Sequence, residues 1–260
     1  MAFAPKFRSS DPSRNAGTAS FETVDAGLRA YMLRVFNWMT VGLLVTGGVA
    51  YAIAETPLGE AFYHQVYTSN GVMVRPTGLG MLTIFAPLVF VMVMSFGVNR
   101  LSRQAAQALF WGFCAVMGAS LSNILLVYTH TSVARAFFVT AATFGAMSLW
   151  GYTTKKDLSS LGSFLFMGLI GLVIASVVNI FLHSAAMGFI VSVIGVGLFT
   201  LLTAFDTQRI RSTYQYYLAY VGPEEMAKRS VYDALSLYLN FINLFTFLLQ
   251  FMGVRNNNNG

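Results

Sequence analysis

Apolar residues come in seven long runs, at about 31–54, 79–98, 106–128, 134–153, 162–182, 187–206 and 232–252, with short polar segments between them. A run of about twenty apolar residues, rising roughly 1.5 Å per residue as a helix, covers a hydrocarbon core of about 30 Å, so each is predicted to span a membrane. The last run differs in kind. In YDALSLYLNFINLFTFLLQFMG the polar residues Asp233, Ser236, Asn240, Asn243 and Gln250 fall at steps of three, four, three and seven, which keeps them on one helical face. Polar groups left in lipid are costly, so this stripe is predicted to look into a bundle interior or a wet cavity, either as interhelical hydrogen bonding or as a functional row. Both readings put the last helix at the centre.

The expected fold is thus an all-α membrane protein, a seven-transmembrane-helix bundle with the last helix central. Residues 1–28, polar and small, lack the continuous apolar stretch of a signal peptide and are expected to form a disordered cytoplasmic segment. The transmembrane domain takes 29–253, and the low-complexity 254–260 is expected to be a disordered tail. A chain of 260 residues that is 56% hydrophobic and 10% charged leaves no room for a large soluble domain.

The net charge of +6 does not indicate nucleic-acid binding, because the basic residues sit in the short segments between spans, where they set topology. With the N-terminus inside, thirteen Lys and Arg lie on the cytoplasmic side and three, Arg75, Arg135 and Arg255, lie outside, so the C-terminus is predicted to be external. Cys114, the single cysteine, lies in an apolar run and reads as small packing. His64, His130 and His183 fall on external segments with no metal-ligand spacing. The external loop 55–78 is long enough for a short interfacial element.

Pro87 should bend the second span. Gly112, Gly118, Gly145, Gly151, Gly168 and Gly171 suit close helix approach, and Asp157 stands where the N-cap of the fifth span belongs. Between the last two spans, TQRIRSTYQYYLAYVGPEEMAKRS interleaves tyrosines with cations. That pattern suits a helix lying in the cytoplasmic headgroup layer or a docking surface for a partner.

Three ionisable groups approach the bilayer interior. Asp206 closes the sixth span in LLTAFDTQ, where the negative pole of the helix dipole opposes a carboxylate and calls for a partner. Arg100 closes the second span and reads as an anchor or a gating residue. Asp233 opens the seventh span, where the dipole favours it as a cap.

Around Asp206 and Asn240 the stretches AFDTQRI and ALSLYLNFINLF, preceded by FGAMSLWGYTTKKDLS, resemble the bacterial branch of the Bax inhibitor-1 family over about 31–253. The resemblance implies a bundle whose last helix is surrounded by the other six, in the bacterial inner membrane, acting as a pH-sensitive leak for calcium or other cations. It also implies, as an alternative, a non-transporting regulator of other membrane proteins such as a membrane protease, tied to stress tolerance. In the family's leak, two carboxylates on the sixth and seventh helices share a proton and an arginine ending the second helix interacts with them. Those roles carry over to Asp206 and Arg100. The second carboxylate does not, because Asn240 stands where the family commonly has aspartate, and Asp233 lies about 10 Å away along the helix axis. Gating and pH sensing are therefore expected at Asp206, Asn240, Arg100 and Asp233, at the cytoplasmic ends of helices 2, 6 and 7. No cofactor and no catalytic residue are indicated. An intramembrane aspartyl protease would carry a Tyr-Asp helix before a Gly-x-Gly-Asp helix, whereas here Tyr232-Asp233 comes second and Asp206 stands in Thr-Ala-Phe-Asp.

Overall fold

The computed structural model describes residues 12–68, 71–97 and 100–254. In chain order it contains α1 (Pro12–Glu55), α2 (Gly59–Phe62), β1 (Tyr63–Thr68), β2 (Gly71–Pro76), α3 (Gly78–Gly97), α4 (Arg103–Val127), α5 (His130–Thr153), α6 (Ser159–Leu182), α7 (Ala185–Tyr220) and α8 (Pro223–Met252). Among the described residues seven helices, all but α2, are long and apolar enough to cross a membrane.

The helix boundaries follow local chemistry. Ser102, Thr129 and Ser184 cap α4, α5 and α7, each side chain accepting a backbone N–H three residues on. Pro223 opens α8 at a position that needs no N–H donor, with Glu224 and Glu225 in the first turn beside the positive pole of the dipole. Helix α6 ends at His183, in the left-handed region at φ 49°, and the Asn179 side chain accepts the N–H of Ser184 to complete the turn.

The centre belongs to α8. Of its span 56% is buried, against 33% or less for any other. It packs directly on α1, α4, α5 and α7, whereas α3 and α6 lie further out, against α4 and α7. The implied ring of six neighbours is therefore an inner set of four with two outer helices. Tyr238 anchors the middle of α8, fully buried between Phe110 and Phe113, and its hydroxyl meets Thr46 Oγ1 at 2.7 Å. Thr46 in turn donates to the carbonyls of Gly42 and Cys114. The outward faces of α3 and α6 remain apolar and exposed, as with Phe96, Phe164 and Phe181, which suits contact with lipid.

Several expectations need correction. Residues 12–28, expected to be disordered, are helical as the start of α1, while 1–11 and 255–260 lie outside the described residues. The external loop carries an antiparallel hairpin, Tyr63 opposite Pro76 through Thr68 opposite Gly71, in addition to the one-turn α2. The tyrosine-rich stretch is no separate interfacial helix. It continues α7 to Tyr220, after which Val221 and Gly222 turn the chain directly into α8. Asp157 caps from one residue further back than expected: Leu158 is the N-cap, and Asp157 Oδ1 accepts the Ser159 N–H at 2.9 Å. A Cβ on Gly118 would meet the Thr46 carbonyl, and one on Gly151 the Ala204 carbonyl, so both mark close backbone approaches. Gly145 and Gly171 have open space instead.

Candidate functional site

Helices α7 and α8 run antiparallel from their shared turn, so residues early in α8 face residues late in α7. Asp206 projects into this seam and is buried. Its Oδ2 accepts from Asn240 Nδ2 at 2.7 Å and from Ser236 Oγ at 3.0 Å, while its Oδ1 meets Arg209 at 2.9 Å. Arg209 also donates to Ser236 Oγ at 3.1 Å, which closes a small network. A carboxylate taken out of water is tolerable only with such partners, and charge-assisted hydrogen bonds are the strong kind. The dipole argument for Asp206 does not hold, because α7 continues fourteen residues beyond it and the carboxylate sits mid-helix. Its partners, not a helix terminus, define its environment.

Further along the seam, Gln250 Oε1 accepts from Ser192 at 3.2 Å, so Ser236, Asn240 and Gln250 of the stripe all meet α7. Asn243 donates to the Leu239 carbonyl within α8. Beside Asp206 opens a cavity of about 540 Å³ between α6, α7 and α8, lined by Asp206, Ser236, Asn240 and Asn243 together with apolar groups such as Leu172, Val173 and Phe199.

Asp233 is not a cap. It lies ten residues inside α8, buried, and its Oδ2 accepts from the Tyr31 hydroxyl of α1 at 2.6 Å. The Tyr31 ring lies tilted against that of Tyr214 in α7, their centroids 5.1 Å apart. Arg229, one turn before Asp233, lies over the Tyr217 ring at 4.5 Å. Among the described residues no hydrogen bond joins Asp206 to Asp233: the first is held by Asn240 and Ser236, the second by Tyr31 of α1. Arg100 is exposed beyond the end of α3, and among the described residues no ion pair joins it to either aspartate. The cation at Asp206 is Arg209. Sequence reasoning counted Arg209 only as a topology charge, although its i,i+3 spacing from Asp206 was legible. Tyr31 gave no such signal, since it contacts Asp233 across 202 residues.

Among the described residues no three His, Cys, Asp or Glu side chains gather as metal ligands. His130 instead pairs with Glu55 at 3.0 Å.

The family model described as Inhibitor of apoptosis-promoting Bax1 matches residues 28–257, which takes in α8 with Asn240 and α7 with Asp206. The chain belongs to the Bax inhibitor-1 family. It is 44% identical over 230 residues to the inner membrane protein YbhL of Escherichia coli K12, covering 88% of this chain and 94% of the relative. Uncharacterized proteins of Caulobacter vibrioides and Rickettsia prowazekii are 47% and 45% identical, over 89% and 92% of this chain and 91% and 95% of theirs. As a Bax inhibitor-1 family member with seven apolar helices, the protein is an integral, multi-pass membrane protein.

Proposed function

We propose that the protein is a cation leak of the bacterial inner membrane, with calcium among its permeant ions, gated by the α7–α8 seam at Asp206. The supporting observation is a buried carboxylate beside a cavity, closed off by Asn240, Ser236 and Arg209. A carboxylate with amide and hydroxyl oxygens around it offers hard ligands of the kind calcium prefers. Opening the seam would free those oxygens for a passing ion, while the Arg209 pair and the Asn240 contact favour the closed form. The charge bias supports a cytoplasmic N-terminus and an external C-terminus, with the gate nearer the cytoplasmic face. Arg100 then acts as an anchor in the cytoplasmic headgroup layer, and Arg209 supplies the cation of the gate.

The test is calcium flux in proteoliposomes of the purified protein across a pH series, with Asp206→Asn as the control. Flux that depends on Asp206 is the expected result. No flux at any pH would overturn the leak and leave the regulator of membrane proteins as the reading to pursue.

A further inference from the structure

Two of the stretches that carry the family resemblance, GYTTKKDLS and AFDTQRI, meet at a place that the gate does not use. The turn joining α5 to α6 is clamped onto α7. Gln208 Oε1 accepts the Leu158 N–H at 2.7 Å, and Gln208 Nε2 donates to the Lys156 carbonyl at 2.7 Å. Arg211 donates to the Tyr152 carbonyl at 2.7 Å, and its guanidinium lies 5.6 Å from the centroid of the Tyr152 ring. One glutamine thus satisfies both a donor and an acceptor of the same turn, which fixes the turn's position relative to Arg211.

The clamp encloses a cavity of about 440 Å³ lined by Thr154, Lys155, Lys156, Asp157, Arg211 and Ser212, with Gln208 at its wall. Three cations face one carboxylate there, and among the described residues none of the three is in an ion pair. Asp157 is turned toward α6. Hydrogen bonds from the Ser159 side chain and backbone hold its carboxyl below the usual carboxylate range, so it stays ionised and is already engaged. The Thr154 hydroxyl accepts the Lys156 N–H at 3.3 Å, which leaves its own proton free to donate. Two ammoniums, a guanidinium already fixed at one end and a hydroxyl donor are what a tetrahedral oxyanion requires.

The cavity sits just past Thr153 and just before Ser159, where the fourth and fifth spans end and begin, and so at headgroup depth. We propose that this pocket binds a phosphate group at the membrane surface, presented by an anionic phospholipid headgroup or free in solution. Topology alone would need positive charge on this loop. It would not need a turn held rigidly by Gln208 over an open cavity.

The experiment titrates the purified full-length protein, in neutral detergent, with dihexanoyl phosphatidylglycerol below its micelle concentration, with inorganic phosphate and with dihexanoyl phosphatidylcholine, and reads binding by calorimetry. Saturable binding of phosphatidylglycerol or phosphate is expected, weakened about tenfold or more in Lys155→Gln/Lys156→Gln, since each charged hydrogen bond is worth that order. Both lysines are exposed, so the variant should keep its fold, which its melting temperature checks. Phosphatidylglycerol binding without phosphate binding assigns the site to a lipid, and equal binding of both assigns it to free phosphate. Arg103→Gln, an exposed cation on the same side outside the pocket, should bind as wild type does. Equal binding by wild type and the double variant, or equal loss in Arg103→Gln, would overturn the site in favour of general interfacial charge.

Discussion

Asn240→Asp tests the proposed gate most directly, because it puts a second acid at the contact. In the wild type the amide donates to Asp206 Oδ2 at 2.7 Å. With aspartate there, two ionised carboxylates whose charges are roughly 4 Å apart repel by about 4 kcal/mol at an effective dielectric constant near 20. The amide's hydrogen bond to a charged acceptor, worth about 1.5–3 kcal/mol, is lost as well. Arg209 offsets part of this, but its side chain is 48% exposed and therefore screened. The variant can keep the seam closed only while the two acids share one proton. The sign follows: that contact is present at low pH and lost as the proton leaves on going to higher pH. Wild-type Asn240 has no such dependence, because its amide donates to ionised Asp206 and its carbonyl accepts from protonated Asp206. The assay is the spin-label distance between Val193 on α7 and Val254 just past α8, both exposed, over about pH 5 to 9. The single native cysteine is buried, which favours selective labelling at introduced cysteines. Asn240→Asp should lengthen this distance as pH rises while wild type stays flat. A wild type that switches as sharply as the variant would refute the reasoning, and Asp233, with Arg229 and Tyr31 around it, would become the next acid to remove.

Three further outcomes are expected. Tyr31→Phe removes the 2.6 Å donor to buried Asp233 and should cost about 1.5–3 kcal/mol, read as a lower melting temperature in detergent; an unchanged value would mean that the phenol does not hold that carboxylate in the core. Thr46→Val leaves the fully buried Tyr238 hydroxyl without its 2.7 Å partner and should destabilise by about 1–3 kcal/mol, whereas a neutral result would show that another group or water takes over. Gly151→Ala pushes a methyl group against the Ala204 backbone and should cost about 1–3 kcal/mol by thermal unfolding, while Gly145→Ala, with open space around it, should be neutral or slightly stabilising; equal effects would refute the close-approach reading.

What was legible in the sequence was whatever a local period encodes. Seven apolar runs correspond to the seven spans, and the three-and-four spacing in the last run turns Ser236 and Asn240 inward, although which helix they meet is visible only in the structure. What failed were the helix ends, and they failed for a common reason. Apolarity marks where a helix meets lipid, and nothing in it marks where the helix stops, so α7 was cut at Asp206 although no Gly or Pro interrupts QRIRSTYQYYLAY before Gly222 and Pro223. The dipole reading of Asp206 falls with the C-terminus of α7, which lies fourteen residues further on, and the cap reading of Asp233 falls with the N-terminus of α8, which lies ten residues earlier. The hairpin has strands of six residues each, too short to stand out beside runs of about twenty apolar residues. Arg100 shows a different limit. Its placement depended on a family role, and the geometry gives the cation's position to Arg209, three residues from the acid it serves. A local i,i+3 pair holds the charge with no long-range contact to maintain, so α7 can carry Asp206 and its counter-charge together if the seam opens. This lets the acid leave Asn240 without being stranded in the bundle, which an arginine on another helix would not allow.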